Sequence, residues 1–265
     1  MNIKLSTVLA TYNEENNISA CLKAVNDISG EIIVVDGSST DKTREIAESL
    51  GAKVIKTTNK PIFHINKQMA IDMAKGEWIL QLDADEVVSK ELKKEIVDIV
   101  KNGSNFSAFY LPRKNIFMGK WLQKTAQYPD PVIRFFKKGK AYLPCKFVHE
   151  QMEVKGKVGM TNGHLLHYPY PSFSQYLQKS NRYTSLSAKE MVEKKINPSF
   201  GEFLKSIYLA KKQFLILFIM HKGFKDGFPG FVFSFYSGLH FFTSYIKFWE
   251  LKRSKRNLEI QKDWE

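Results

Sequence analysis

The sequence predicts an α/β fold, a parallel sheet with helices on both faces, and three observations lead there. Strand-length apolar runs alternate with segments of helical periodicity over the first hundred or so residues. The runs are nearly continuous in Leu, Ile and Val, as in strands buried on both faces. Three of them end in clusters of Thr, Asn, Ser, Asp and Glu, at the edge where an open α/β sheet receives its ligand.

KLSTVLA (4–10) reads as a strand, and ENNISACLKAVND (15–27) as a helix from the spacing of Ile18, Cys21, Leu22 and Val25. EIIVVDGSSTDKT (31–43) is a strand entering a turn; TREIAESLGA follows as a helix stopped by Gly51, and AKVIKTT as another strand. Residues 65–76 form a helix closing on Gly76, EWILQLD (77–83) a strand, and SKELKKEIVDIVKN (89–102) a charged amphipathic helix. Such an order implies right-handed crossovers.

The chain has 265 residues, enough for one large domain with appendages or for two domains. A net charge of +13 favours an anionic partner: a nucleotide, nucleic acid or an acidic membrane face. Cys21 and Cys145 stand far apart without a CxxC or Cys/His pattern, which fits a reducing cytoplasm. MNIKLSTVLATYNEE lacks a signal-peptide pattern, so a protein that is not secreted is expected.

The first strand end offers Thr11, Tyr12, Asn13 and Glu14, the second Asp36, Ser38, Ser39 and Asp41, the third Asp83, Asp85 and Glu86. Helix capping alone accounts for Ser39, Thr40 or Asp41, but not for three such ends meeting at one edge. Neither GxGxxG after the first strand nor GxxxxGK[ST] is present, so a nucleotide must be held otherwise. A strand-end aspartate accepts from a base imide N–H, a glutamate accepts ribose hydroxyls, and a diphosphate calls for a hard cation on carboxylate oxygens. Asp-x-Asp suits that cation because alternate residues project to one side.

TYNEE, VVDGSSTDKT and AKGEWILQLDADE resemble the sequential signatures of the family 2 glycosyltransferases of the GT-A fold. The similarity is to the small bacterial enzymes that add glucose or related sugars to lipopolysaccharide core. It is close over the first ninety residues and continues through VIRFFKKGKAY, KFVHEQMEV, HLLHYPY and SFSQYLQKSNRYTS. The resemblance implies domains at 1–110 (nucleotide-sugar half), 111–195 (acceptor half) and 196–265 (membrane-associating helices). It implies UDP-sugar contacts from Thr11, Tyr12, Glu14, Asp36, Lys67 and Asp83, and Mg²⁺ or Mn²⁺ on Asp85, with Asp83 toward ribose or metal. Glu86 is assigned to the turn.

The resemblance also implies Glu150 as the base that deprotonates the acceptor hydroxyl, a glutamate where an aspartate is common in the family. Asp130 in a Pro-rich turn and Glu153 are weaker candidates. His167 is a candidate further metal ligand, with His164 beside it, and Arg134 a candidate clamp for an anionic donor or acceptor group. Each has a plainer reading: a solvated helix lysine for Lys67, a packed histidine, a solvated strand arginine.

Residues 201–265 hold 16 of the 35 aromatics and 11 Lys+Arg against 6 acids, a membrane-surface composition. Residues 227–246 carry no charge for 20 residues but include Pro229, three glycines and three serines, so an interfacial or re-entrant element is expected over a crossing. Packing on the core or a dimer is the alternative. The expected function is transfer of a hexose, glucose favoured, from a UDP-sugar to a lipid-linked saccharide at the cytoplasmic face of the inner membrane, as a peripheral or monotopic protein. The competing classes are a basic nucleic-acid-binding protein and a nucleotidyltransferase acting on a sugar phosphate. No RNA-binding signature supports the first, and TYNEENN lacks the Gly-rich basic loop of the second.

Overall fold

The computed structural model describes residues 4–60, 62–145, 151–170 and 172–254. The described residues of 4–114 and 130–167 form one compact unit, and those of 115–129 and 168–254 a second. The boundaries expected at 110 and 195 do not coincide with these units, because the chain enters the helical unit twice.

In the first unit the strands are β1 (Leu5–Thr11), β2 (Glu31–Asp36), β3 (Lys53–Lys56), β4 (Trp78–Leu82) and β5 (Glu86–Val88). The helices between them are α1 (Ile18–Val25), α2 (Thr43–Ser49), α3 (His64–Met73) and α4 (Lys90–Asn102). β6 (Ala108–Phe117), the short β7 (Lys120–Trp121), β8 (Asp130–Lys137), β9 (Ala141–Tyr142), β10 (Glu153–Val154), β11 (Val158–Met160) and β12 (Leu165–Tyr170) follow. The main sheet runs β3-β2-β1-β4-β8-β6-β12-β5, parallel from β3 to β4 and antiparallel from β4 to β8. The sequence-read helix–strand order holds through α4, with one difference: Glu86, assigned to a turn, begins β5.

Period-two alternation divides the core between the two faces. Leu5, Leu9, Ile32, Val34, Trp78, Leu80 and Leu82 pack on one side with α1 and α4; Val8, Ile33, Val35 and Ile79 pack on the other with α3. Trp78 and Phe135 stack at 4.7 Å, and burying a ring such as the fully enclosed Phe135 contributes about 1.5–3 kcal/mol. α1 buries Ile18, Cys21, Leu22 and Val25, the stripe its spacing predicts. α4 starts where the Ser89 side chain accepts from Leu92 N, and ends at Gly103 with φ +76°, which an L side chain rarely adopts. Gly76 packs against β1: a Cβ there would meet Ser6 N at 2.7 Å.

The second unit is helical: α5 (Phe173–Glu193), α6 (Phe200–Leu215), a π turn (Ile216–Met220), a 3-10 turn (Gly223–Asp226) and α7 (Gly227–Ser254). Phe117, Leu122, Tyr176 and Val232 form one of its cores, and Ala188, Tyr245 and Phe248 another. Buried Asp226 accepts from the backbone N–H groups of Gln123 and Lys124, at 3.2 and 2.8 Å. Over 227–246, where an interfacial or re-entrant element is expected, α7 is one uninterrupted helix, and Pro229 sits in its first turn, where a missing N–H costs no intrahelical bond. No helix among the described residues is long and apolar enough to cross a membrane.

Candidate functional site

Register brings the strand ends together. Thr11 closes β1 opposite Asp36 at the end of β2, while Leu9 faces Leu82, so Asp83 leaves β4 at the same edge. β12 pairs antiparallel with β5 and sets His167 opposite Glu86, one residue from Asp85. His167 Nε2 is 3.5 Å from Asp85 Oδ2, so two residues 82 positions apart in sequence meet here. His164 lies apart, three residues earlier on the strand approach, where its carbonyl accepts from Ser89 N at 3.1 Å.

The three acids have different surroundings. Glu86 is fully buried, and its carboxylate accepts from Arg134 Nε at 3.0 Å, Arg134 Nη2 at 3.1 Å and the Asp83 backbone N–H at 3.0 Å. Arg113 Nη1 stands 3.5 Å from the same carboxylate and its Nη2 is 2.6 Å from Asp130. Asp83 is held between Lys67 Nζ, at 2.5 Å, and the Arg134 guanidinium. Burial raises the Asp83 pKa, but Arg134 and then Lys67 overcome it and hold the carboxyl well below the usual carboxylate range. Burial pulls the Arg134 pKa down, and Asp83 and Glu86 more than reverse it. Among the described residues Asp85 makes no salt bridge to lysine or arginine.

Glu86 therefore caps the turn as expected but is not solvated; it is the buried anchor for two guanidiniums. Arg134 is neither a solvated strand residue nor an unengaged clamp: Gln81 Oε1 accepts from its Nη1 at 2.6 Å, and both acids hold the rest of the fork. The solvated reading of Lys67 also fails, because the side chain is buried. Thr11 Oγ1 donates to Asp36 Oδ2 at 3.3 Å.

Expected to face a nucleoside, Asp36 is instead fully enclosed and spends its oxygens on Ser39 N at 3.0 Å, Arg44 Nη1 at 3.0 Å, Ser39 Oγ and Thr11. Those bonds fold the GSST turn after β2, so a base contact there requires one donor to exchange. Tyr12 is half-buried at the end of β1, and Glu14, also half-buried, accepts from Asn17 Nδ2 at 2.8 Å. Glu150 lies outside the described residues. Glu153 accepts from the Tyr142 hydroxyl on an exposed strand. Burial and then the acids Glu86, Asp85, Asp83 and Glu14 push the Cys21 thiol up.

Sequence reasoning missed Arg113, Gln81 and Arg44. The signal for Gln81 was available, a lone amide inside the apolar run WILQL; a buried amide needs partners. A cavity of about 200 Å³ opens beside these groups, lined by Phe63, His64, Lys67, Asp83, Arg134 and Gln151 among others. In the helical unit a groove of about 470 Å³ between Phe200, Phe203, Tyr245, Ile246 and Trp249 has no carboxylate, histidine or lysine in its lining among the described residues.

A divalent cation fits the donor set in part. Asp85 and His167 are adjacent, partly exposed donors, which suits a cation whose other positions go to phosphate oxygens and water. Among the described residues no group of three or more His, Cys, Asp and Glu side chains makes a protein-only cage.

The model of the family described as Glycosyl transferase family 2 matches residues 6–161. An uncharacterized glycosyltransferase of Rickettsia typhi is 32% identical over 96% of this chain and 90% of its own. The lipopolysaccharide core biosynthesis glycosyltransferase LpsC of Rhizobium meliloti is 24% identical over 94% of this chain and 93% of its own. The structure of S. aureus TarS residues 1–349 in complex with UDP matches in fold, with TM-score 0.51, 16% identity, and coverage of 97% of this chain and 93% of that one. The fold is GT-A, and the chain belongs to glycosyl transferase family 2 as a glycosyltransferase.

Proposed function

We propose that the chain transfers a hexose, glucose favoured, from a UDP-sugar to a lipid-linked saccharide such as lipopolysaccharide inner core, by a single displacement that inverts the anomeric centre. The observation that carries this reading is the meeting of Thr11, Asp36, Asp83, Asp85 and His167 at one sheet edge. The likeness to LpsC supports the acceptor class, and the UDP in the TarS complex supports the donor class.

Asp85 and His167 would hold Mg²⁺ or Mn²⁺, which when bound neutralises charge on the departing diphosphate. Lys67 and Arg134 add fixed positive charge beside Asp83, and Thr11, Tyr12, Glu14 and Asp83 line the nucleoside side of the edge. Glu150 takes the proton of the acceptor hydroxyl; that oxygen bonds to the anomeric carbon as the bond to the diphosphate oxygen breaks, and UDP leaves. The enzyme works at the cytoplasmic face of the inner membrane, where a cytosolic donor meets a lipid-anchored acceptor.

Glu150→Gln tests the base directly. It is expected to slow transfer by about 10²- to 10⁴-fold, the usual worth of a positioned base, while UDP binding by calorimetry stays at the wild-type value. Loss of UDP binding together with transfer would contradict the role.

A further inference from the structure

Besides Phe200, Ile246, Trp249 and the α5 side chains Leu177, Tyr183 and Leu186, the helical unit exposes a run of apolar side chains from α6 through both turns into α7. α6 exposes Leu204, Tyr208 and Leu215, the π turn Ile219 and Met220, the 3-10 turn Phe224, and the first turns of α7 Phe228, Phe231 and Phe235. Met220 is 73% and Phe228 68% exposed, far beyond what packing on a neighbouring helix allows. Scattered exposed apolar residues are ordinary, but a contiguous row of them marks a contact surface.

The backbone turns this path into an elbow. His221 N donates to Ile216 O at 2.8 Å, the i→i+5 bond of a π turn, and positive φ at Lys222 and Gly227 brackets the 3-10 turn. Beneath the exposed rings, Phe218 packs on Phe224 and Phe231, with centroids 6.2 and 5.8 Å apart.

The charge on the path has one sign. Lys205, Lys211, Lys212, Lys222 and Lys225 are all exposed, and helical spacing puts Lys211 and Lys212 between Tyr208 and Leu215 on one stripe. Between Phe200 and Phe228 the acids are Glu202 and Asp226. Glu202 pairs with Lys205 at 3.2 Å, and Asp226 is buried against backbone donors. Four lysines thus stand unopposed by any acid of this segment among exposed aromatic and aliphatic side chains, the surface an anionic bilayer complements.

We propose that this elbow, residues 204–235, seats the chain on an anionic phospholipid bilayer, with Met220, Phe224 and Phe228 at the headgroup–acyl boundary and the lysines at the lipid phosphates. Since no helix among the described residues can cross, the contact is interfacial. It requires neither nucleotide donor nor metal, so its failure and the failure of the transferase reading are separable.

The test is flotation of the full chain with vesicles of equimolar phosphatidylcholine and phosphatidylglycerol, and with phosphatidylcholine alone. Binding is expected to favour the anionic vesicles and to weaken with salt. A Met220→Ser, Phe224→Ser, Phe228→Ser variant should bind at least about tenfold more weakly for each side chain that inserts. Lys222→Glu with Lys225→Glu, both exposed and remote from the core, should lower binding to the anionic vesicles by about fivefold or more per residue and leave the neutral ones unchanged. Absence of binding to the anionic vesicles, or wild-type binding to them by the lysine variant, would overturn the proposal. So would a dimer in sedimentation velocity that the triple variant abolishes, since a second copy would then be the occupant.

Discussion

Asp85→Asn is expected to lower hexose transfer roughly a thousandfold, about 4 kcal/mol of transition-state stabilisation at about 1.4 kcal/mol per factor of ten. The amide keeps the shape but gives up the anionic charge that a hard cation seeks. Asp83 is not expected to substitute for it, because Lys67 and Arg134 hold both its oxygens. Stability should change by less than about 1 kcal/mol, since the contact of Asp85 with His167 is partly exposed. Mn²⁺ binding followed by electron paramagnetic resonance supplies a readout besides activity: the variant should lose it, and Asp83→Asn should retain most of it. Wild-type turnover by Asp85→Asn in Mn²⁺ would remove this residue from the cation site.

Glu86→Ala is expected to cost about 3–5 kcal/mol of stability, a structural effect rather than a chemical one. Glu86 is fully enclosed and shared by two guanidiniums, so truncation leaves Arg134 with Asp83 alone and Arg113 with Asp130 alone, and strips the acceptor from Arg134 Nε and from the Asp83 N–H. Glu86→Gln, which keeps an acceptor but no charge, should lie between wild type and alanine. Urea unfolding with an unchanged m value would give the comparison, and a loss below about 1 kcal/mol for the alanine variant would contradict the anchoring role.

These two expectations diverge for residues one position apart, and the reason is long-range pairing. From LQLDADEVV alone the acids looked like a repulsive cluster awaiting a cation. In the fold, Arg134 and Lys67 offset Asp83, and Arg134 and Arg113 offset Glu86, whereas among the described residues Asp85 has no lysine or arginine partner. Arg113 and Arg134 lie 27 and 48 residues downstream of Glu86, on β6 and β8; no local pattern announces antiparallel strands inserted between β4 and β12.

The first half of the fold was legible because its elements have local causes such as the α1 stripe and the stop at Gly51; the Ser89 cap and the Gly103 stop of α4 are local signals of the same kind that went unread. Beyond Asn102 the strands run from the ten residues of β6 to the two each of β7, β9 and β10, and their places depend on partners rather than on periodicity. His167 was proposed from its position after an apolar run, and Asp85 from the DxD spacing; their meeting depended on the β5–β12 register, which begins at a residue read as turn. The aromatic concentration after residue 200 was visible, whereas its division into buried rings such as Phe248 and exposed ones such as Phe228 follows from helix packing.

The central claim, that this edge passes a hexose from a UDP-sugar to a lipid-linked saccharide with a divalent cation, is tested most directly by UDP release from UDP-glucose. The assay compares reactions with and without a glycolipid extract carrying lipopolysaccharide inner core, in Mn²⁺ and in excess chelator. The expected result is UDP release that requires the extract and stops on chelation. UDP release indifferent to chelator, or no release from any UDP-sugar with the extract present, would contradict it.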